Sequence, residues 1–188
     1  MAKSTIAAEE NYREKIRKRR ERKVLLISLL IAFGLGILVA YLFFSSYTSQ
    51  EYAMDPTIEA GDRFYINRVT GKLTRGDLIA YTNADAADSS IRVRRVIGLP
   101  GETVQIRDGL IMIDGETYME DLNLPDIQNA GIAKDVITVG SGEYFCLGDN
   151  RNGSEDSRFS DVGNISSSQI KGRVWYIAEP ASRKGFVK

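Results

Sequence analysis

The sequence predicts a mainly β protein, an antiparallel β domain carried on one N-terminal transmembrane helix. Three observations carry that expectation. Val24–Phe44 is an uncharged run of Val, Leu, Ile, Ala, Phe and Gly in which Ser28 and Tyr41 are the only polar groups. After it come many short apolar runs parted by Gly, Asp and Pro, with no long helical pattern. Two of the partings are Asp-Gly steps, Asp108-Gly109 and Asp114-Gly115. Both central residues of a tight two-residue hairpin turn need positive φ, which Asp and Gly tolerate.

Taken in order, residues 1–23 form a polar tail, expected to be mobile or partly helical. It holds nine Lys/Arg against four Glu, a net of +5, so the remainder carries −5 and the whole chain is neutral. A basic tail on an acidic domain can signal nucleic acid. A basic cluster abutting an apolar run is more simply a topology signal that keeps the N-terminus cytoplasmic, so no nucleic-acid partner is expected. Residues 24–44 have the length of a membrane span, which takes about 20 apolar residues. A secretory signal has a shorter apolar region of about 7–15 residues, and a buried soluble helix is rarely apolar on every face. Residues 45–188 then form an extracytoplasmic domain on a single-pass cell-membrane protein.

Within that domain, Arg63–Val69, Leu78–Thr82 and Ile91–Ile97 read as strands, the last alternating as a half-buried strand does. Thr103–Ile106, Leu110–Ile113 and Glu116–Tyr118 follow as a meander through the Asp-Gly turns, and Ile137–Val139, Glu143–Leu147 and Arg173–Ala178 supply further strands. Asn83–Ser90 is a polar loop, and 120–134 a loop without a clear pattern. Many short strands without a long soluble helix argue for antiparallel sheets or an open barrel.

Composition narrows the chemistry. With 188 residues, 43% hydrophobic and 27% charged, the chain suits one globular domain plus the apolar run. It has no His, which rules out Ser-His-Asp and Cys-His catalysis and leaves no ordinary zinc ligand set. No cofactor is expected. Cys146, the only cysteine, lies in the apolar run Tyr144-Phe145-Cys146-Leu147 and reads as a buried structural thiol.

Four stretches resemble the ordered sequence boxes of the type I signal peptidases, membrane-anchored serine proteases that use a Ser–Lys pair. Ala53-Met54-Asp55-Pro56-Thr57 is similar to Ser-Met-x-Pro-Thr, and Gly61-Asp62 and Gly76-Asp77 follow as in that family. Arg94-Arg95-Val96-Ile97-Gly98-Leu99-Pro100-Gly101-Glu102 resembles Lys-Arg-Val-Ile-Gly-x-Pro-Gly-Asp. The stretch from Gly148 to Arg158 matches Gly-Asp-Asn-Arg-x-x-Ser-x-Asp-Ser-Arg without a gap. The resemblance implies a signal-peptidase-like β fold and a groove for an extended peptide or a signal-peptide-bearing precursor, with Met54, Pro56 and Thr57 at the groove or its turns.

The departures fall on the dyad. The nucleophile position is Ala53 and the general-base position Arg94. A methyl has no oxygen to attack a carbonyl, and a guanidinium does not give up its proton as a desolvated Lys can. Ser154 matches the family serine that supports the Lys and is expected to hydrogen-bond the guanidinium instead. Asp149, Asp156 and Arg158 are expected to organise turns and a local ion pair. Glu51 stands two residues before Ala53, where some family members place an oxyanion-stabilising hydroxyl. Ser89 and Ser90, the other serines considered as nucleophiles, sit in a polar loop with no base nearby in sequence.

Three functions compete. The first is a non-catalytic homologue acting as a peptide-binding or chaperone-like factor in surface-protein or pilus assembly. It is similar to the dyad-less homologues that some Gram-positive bacteria carry beside pilus genes, with pilin subunits and a sortase as partners. The second is an active signal peptidase with an unusual dyad, and the third an engineered inactive variant.

Overall fold

The computed structural model describes residues 2–43, 45–69, 71–83 and 90–187. Phe44, the last residue of the expected span, and most of the polar loop, including Ser89, lie outside the described residues.

Helix α1 runs from Ala2 to Phe43. The polar tail, expected to be mobile or partly helical, is part of this helix from Ala2 onward. The pairs Glu14–Lys18 and Arg17–Glu21 sit one turn apart along it, in a stretch rich in good helix formers. Tyr12–Phe43 is long and apolar enough to cross a membrane, and among the described residues none of its apolar window is buried. Leu30 and Phe33 are each 70% exposed. A helix apolar on all sides needs an apolar surrounding.

The β domain contains β1 (Ser45–Thr48), β2 (Arg63–Asn67), β3 (Leu78–Tyr81), β4 (Arg92–Gly98), β5 (Thr103–Arg107), β6 (Leu110–Ile113), β7 (Glu116–Thr117), β8 (Ile137–Thr138), β9 (Glu143–Leu147), β10 (Ile165–Ser166), β11 (Ile170–Glu179) and β12 (Gly185–Phe186). The larger sheet has the order β1-β2-β11-β3-β4-β9-β10, with β12 also on β11; the smaller has β7-β6-β5-β8. Every strand pair is antiparallel. The Asp-Gly turns form as expected: Asp108 and Gly109 have φ of 52° and 79°, Asp114 and Gly115 of 51° and 85°. Sequence reading missed β1, β10 and β12, which are short and carry no apolar alternation. The stretch 120–134 is irregular apart from a 3₁₀ turn at Gly131–Lys134.

Strands β3 and β4 place the site. Their register pairs Leu78 with Arg95, Ile79 with Arg94, Ala80 with Val93 and Tyr81 with Arg92. Residues opposite one another share a face. Leu78, Ala80 and Val93 therefore pack one core with Met54, Ile58, Phe64 and Val174. Ile79, Tyr81 and Val96 pack another with Cys146 and Ile165. A third core fills the small sheet around Val104, Ile111 and Phe145. Arg94 and Arg95 thus leave β4 on opposite sides of the large sheet, both buried.

Candidate functional site

The segment Tyr52–Ile58 is a compact run of turns. Asp55 N–H donates to the Tyr52 carbonyl at 3.2 Å and Ile58 N–H to the Met54 carbonyl at 3.0 Å. Met54, 3% exposed, anchors the run in the core below β2 and β11. From the C-terminal 3₁₀ turn, Arg183 donates to both Asp62 oxygens, to Glu59 and to the Pro56 and Thr57 carbonyls. Nothing in the sequence near Arg183 signalled that role; the contacts span about 120 residues of chain.

The Gly148–Arg158 loop closes over this run. Asn150 N–H donates to the Ala53 carbonyl at 3.1 Å. A side chain on Gly148 would collide with Ser154 Oγ and the Ala53 carbonyl, so Gly148 permits Ala53 and Ser154 to sit together. Asp149 is fully buried and takes a bidentate pair from Arg95, at 2.8 and 2.6 Å, and the Thr57 hydroxyl at 2.5 Å. Asp156, also fully buried, accepts from Gly148 N–H and from two nitrogens of the Arg158 guanidinium. Arg158 continues to the Asn129 carbonyl. Arg151 makes a two-pronged pair with Glu120 at 2.5 and 2.7 Å, a partner the irregular stretch 120–134 concealed. Asp149 and Asp156 thus each hold one arginine, Arg95 and Arg158, and Thr57 is drawn into the Asp149 knot.

Arg94 does not meet the serine expected to bind it. Its Nε and Nη2 donate to the Glu155 carbonyl at 3.0 and 2.6 Å, and its Nη1 to Glu51 Oε2 at 2.8 Å and to the Val93 carbonyl at 2.6 Å. Ser154 Oγ is buried and, among the described residues, has no hydrogen-bond partner. The backbone carbonyl of the next residue, Glu155, takes two of the guanidinium nitrogens instead. Glu51 also lies 3.5 Å from Arg92, and Arg92 pairs with Glu155 at 2.9 Å. Two arginines and two glutamates therefore alternate across the dyad positions.

Two buried titratable groups share the Arg94 face. Burial pushes the Tyr81 hydroxyl up to about 12, against a smaller opposing pull from the Arg94 cation, and among the described residues that hydroxyl has no hydrogen-bond partner. Burial also pushes the Cys146 thiol well above its ordinary range, which agrees with a structural, unreactive role.

A groove lies beside this network, with Tyr47, Thr48, Gln50 and Glu51 on one side and Ser90, Ile91 and Arg92 on the other. Met54, Phe64 and Val93 line a smaller hollow next to it. Of the residues expected at the groove, Met54 lines the smaller hollow, whereas the Pro56 carbonyl and the Thr57 hydroxyl are engaged by Arg183 and Asp149. Among the described residues, no group of three or more Asp, Glu, Cys or His side chains gathers to hold a metal ion.

The family described as signal peptidase, peptidase S26, matches residues 22–178. Signal peptidase I of Bacillus licheniformis is 31% identical over 165 residues, 81% of this chain and 86% of that one. Signal peptidase IB of Staphylococcus aureus (strain COL) is 32% identical over 177 residues, 84% of this chain and 89% of that one. A crystal structure of a signal peptidase I from Enterococcus faecalis V583 aligns with a TM-score of 0.44 at 32% identity, covering 55% of this chain and 97% of that one.

Proposed function

This chain belongs to the signal peptidase family, peptidase S26, and from that premise we propose that it is a non-catalytic member. On this reading it holds extended peptides or signal-peptide-bearing precursors without cutting them. The observation that carries it is the pairing of Arg94 with Glu51 beside Ala53. A permanently charged, fully engaged guanidinium stands where a base must lose a proton, and a methyl stands where the attacking oxygen must be. In a comparable serine protease, loss of catalytic groups lowers turnover on the order of a million-fold.

The binding half of the proposal draws on the groove and on sheet geometry. Strand β1 ends the larger sheet, so among the described residues no strand lies beside its outer edge. An extended peptide adds to such an edge through main-chain hydrogen bonds. Surface-protein or pilus assembly is the setting this reading proposes, with pilin subunits and a sortase as partners and the N-terminus on the cytoplasmic side. The competing reading, an active signal peptidase, draws on the retained knot of Asp149, Arg95 and Thr57.

The deciding experiment incubates the full-length protein in detergent with a precursor bearing a small-x-small cleavage site. Binding without cleavage is expected. Cleavage at the correct bond, at a rate within tenfold of an ordinary signal peptidase, establishes the competing reading instead.

A further inference from the structure

The cationic segment ahead of the apolar run is not uniformly charged around its axis. Glu14 pairs with Lys18 at 2.7 Å and Glu21 with Arg17 at 3.6 Å. At about 100° per residue, Glu14 and Glu21 fall within about 20° of each other on the helix surface. Lys15, Arg19, Arg20, Arg22 and Lys23 all fall within an arc of about 160° centred on the opposite side. Among the described residues, none of these five has a carboxylate partner, and all are exposed. One face of the helix is thus neutralised by its own glutamates, and the other presents five unopposed cations.

Position along the axis supplies the second half of the argument. The apolar run begins at Val24, directly after Lys23, in the same unbroken helix. The headgroup layer on each side of a bilayer is about 5–7 Å deep. Four residue steps from Lys23 back to Arg19 advance about 6 Å. With the apolar run in the hydrocarbon, Arg19, Arg20, Arg22 and Lys23 sit at phosphate depth, well inside the Debye length of about 8 Å.

We propose that the four cations of this face nearest the span, Arg19, Arg20, Arg22 and Lys23, are a binding site for the phosphate headgroups of anionic lipids in the leaflet at the N-terminal end of the span. The inference rests on α1 being the membrane span, as the proposed function also does. Arginine suits the task, since its planar fork grips phosphate oxygens at two points. The glutamate-bearing face is left for zwitterionic lipid or water.

The test reconstitutes the full-length protein into phosphatidylcholine vesicles with and without phosphatidylglycerol. Spin-labelled lipids then report which headgroup is enriched in the shell around the protein. Spin-labelled phosphatidylglycerol should be favoured over phosphatidylcholine by about fivefold or more, the effect of a single well-placed cation. The preference should collapse in about 1 M salt, where the screening length is about 3 Å. The double variant R19E/E21R keeps composition and net charge but puts a carboxylate in the middle of the cationic face; its preference should fall by at least half. Equal affinity for the two lipids, or an unchanged preference in R19E/E21R, overturns the headgroup site. Alkaline extraction scores the span separately. Protein that leaves the bilayer overturns both span and site, and protein that stays without lipid preference overturns the site alone.

Discussion

Glu51 Oε2 accepts from Arg94 Nη1 at 2.8 Å, so the carboxylate two residues before Ala53 is tied to the guanidinium that the resemblance places at the general-base position. The Arg94 side chain is 2% exposed and that of Glu51 34%. A cation of that burial without a carboxylate is costly.

Breaking the pair from the acidic side should therefore destabilise the domain. Glu51→Ala is expected to cost about 1–3 kcal/mol, below the 3–5 kcal/mol of a fully buried pair because Glu51 keeps contact with water. Removing both charges in E51A/R94M should cost less than E51A alone. Urea titrations of the three proteins check this; a double variant weaker than the single one would show that Arg94 contributes chiefly through its carbonyl contacts.

The same pair governs any attempt to restore hydrolysis. Ala53→Ser/Arg94→Lys supplies a hydroxyl and an amine, but the Glu51 carboxylate holds the introduced amine in its charged form. Opposite charges at this range leave roughly ten- to a thousandfold less free amine near neutral pH. Cleavage by the double variant should be absent or confined to alkaline pH. Adding Glu51→Ser should move the activity profile downward in pH. Direct titration of the introduced lysine by NMR gives the same answer without turnover: its pKa should fall when Glu51 is replaced. An unchanged pKa would remove Glu51 from the account.

Tyr81 predicts an alkaline weakness. The folded state keeps this proton up to about 12, whereas an unfolded tyrosine loses it near its usual value of about 10. Between those limits the unfolded chain binds fewer protons, so stability falls as pH rises through that window. Tyr81→Phe should remove that loss, about 1.4 kcal/mol at pH 11, midway through the window. Below pH 9 it should be neutral or stabilising, because the buried hydroxyl is unpartnered. Thermal melts at pH 7 and 11 decide; destabilisation of more than about 1 kcal/mol at pH 7 would reveal a partner for the hydroxyl.

Topology can be read with single cysteines because Cys146 is fully buried and gives no background in the folded protein. A cysteine at Ser4 should resist an impermeant thiol reagent in intact cells, and one at Ser182, exposed in the C-terminal 3₁₀ turn, should react. The reverse labelling pattern would invert the orientation.

The strands with apolar alternation or Asp-Gly turns were legible in the sequence, since period and turn chemistry are local properties. The boxes were legible too, and Ala53 and Arg94, standing at the expected nucleophile and base positions, are the residue types from which the non-catalytic proposal starts. What the sequence left open was set by long-range geometry. Ser45–Thr48 becomes a strand because β2 offers it an edge. Arg183 reaches the Pro56–Thr57 turn across the chain, and Glu120 finds Arg151 from an irregular segment. Glu51 was visible as a carboxylate in a place that opposes an oxyanion. Only the β3–β4 register and the loop over Ala53 made it the counter-charge of Arg94 and left Ser154 without a partner. The sequence by itself determined which chemical groups are present; which of them meet was decided by packing, because a buried charge takes the nearest acceptor the fold supplies.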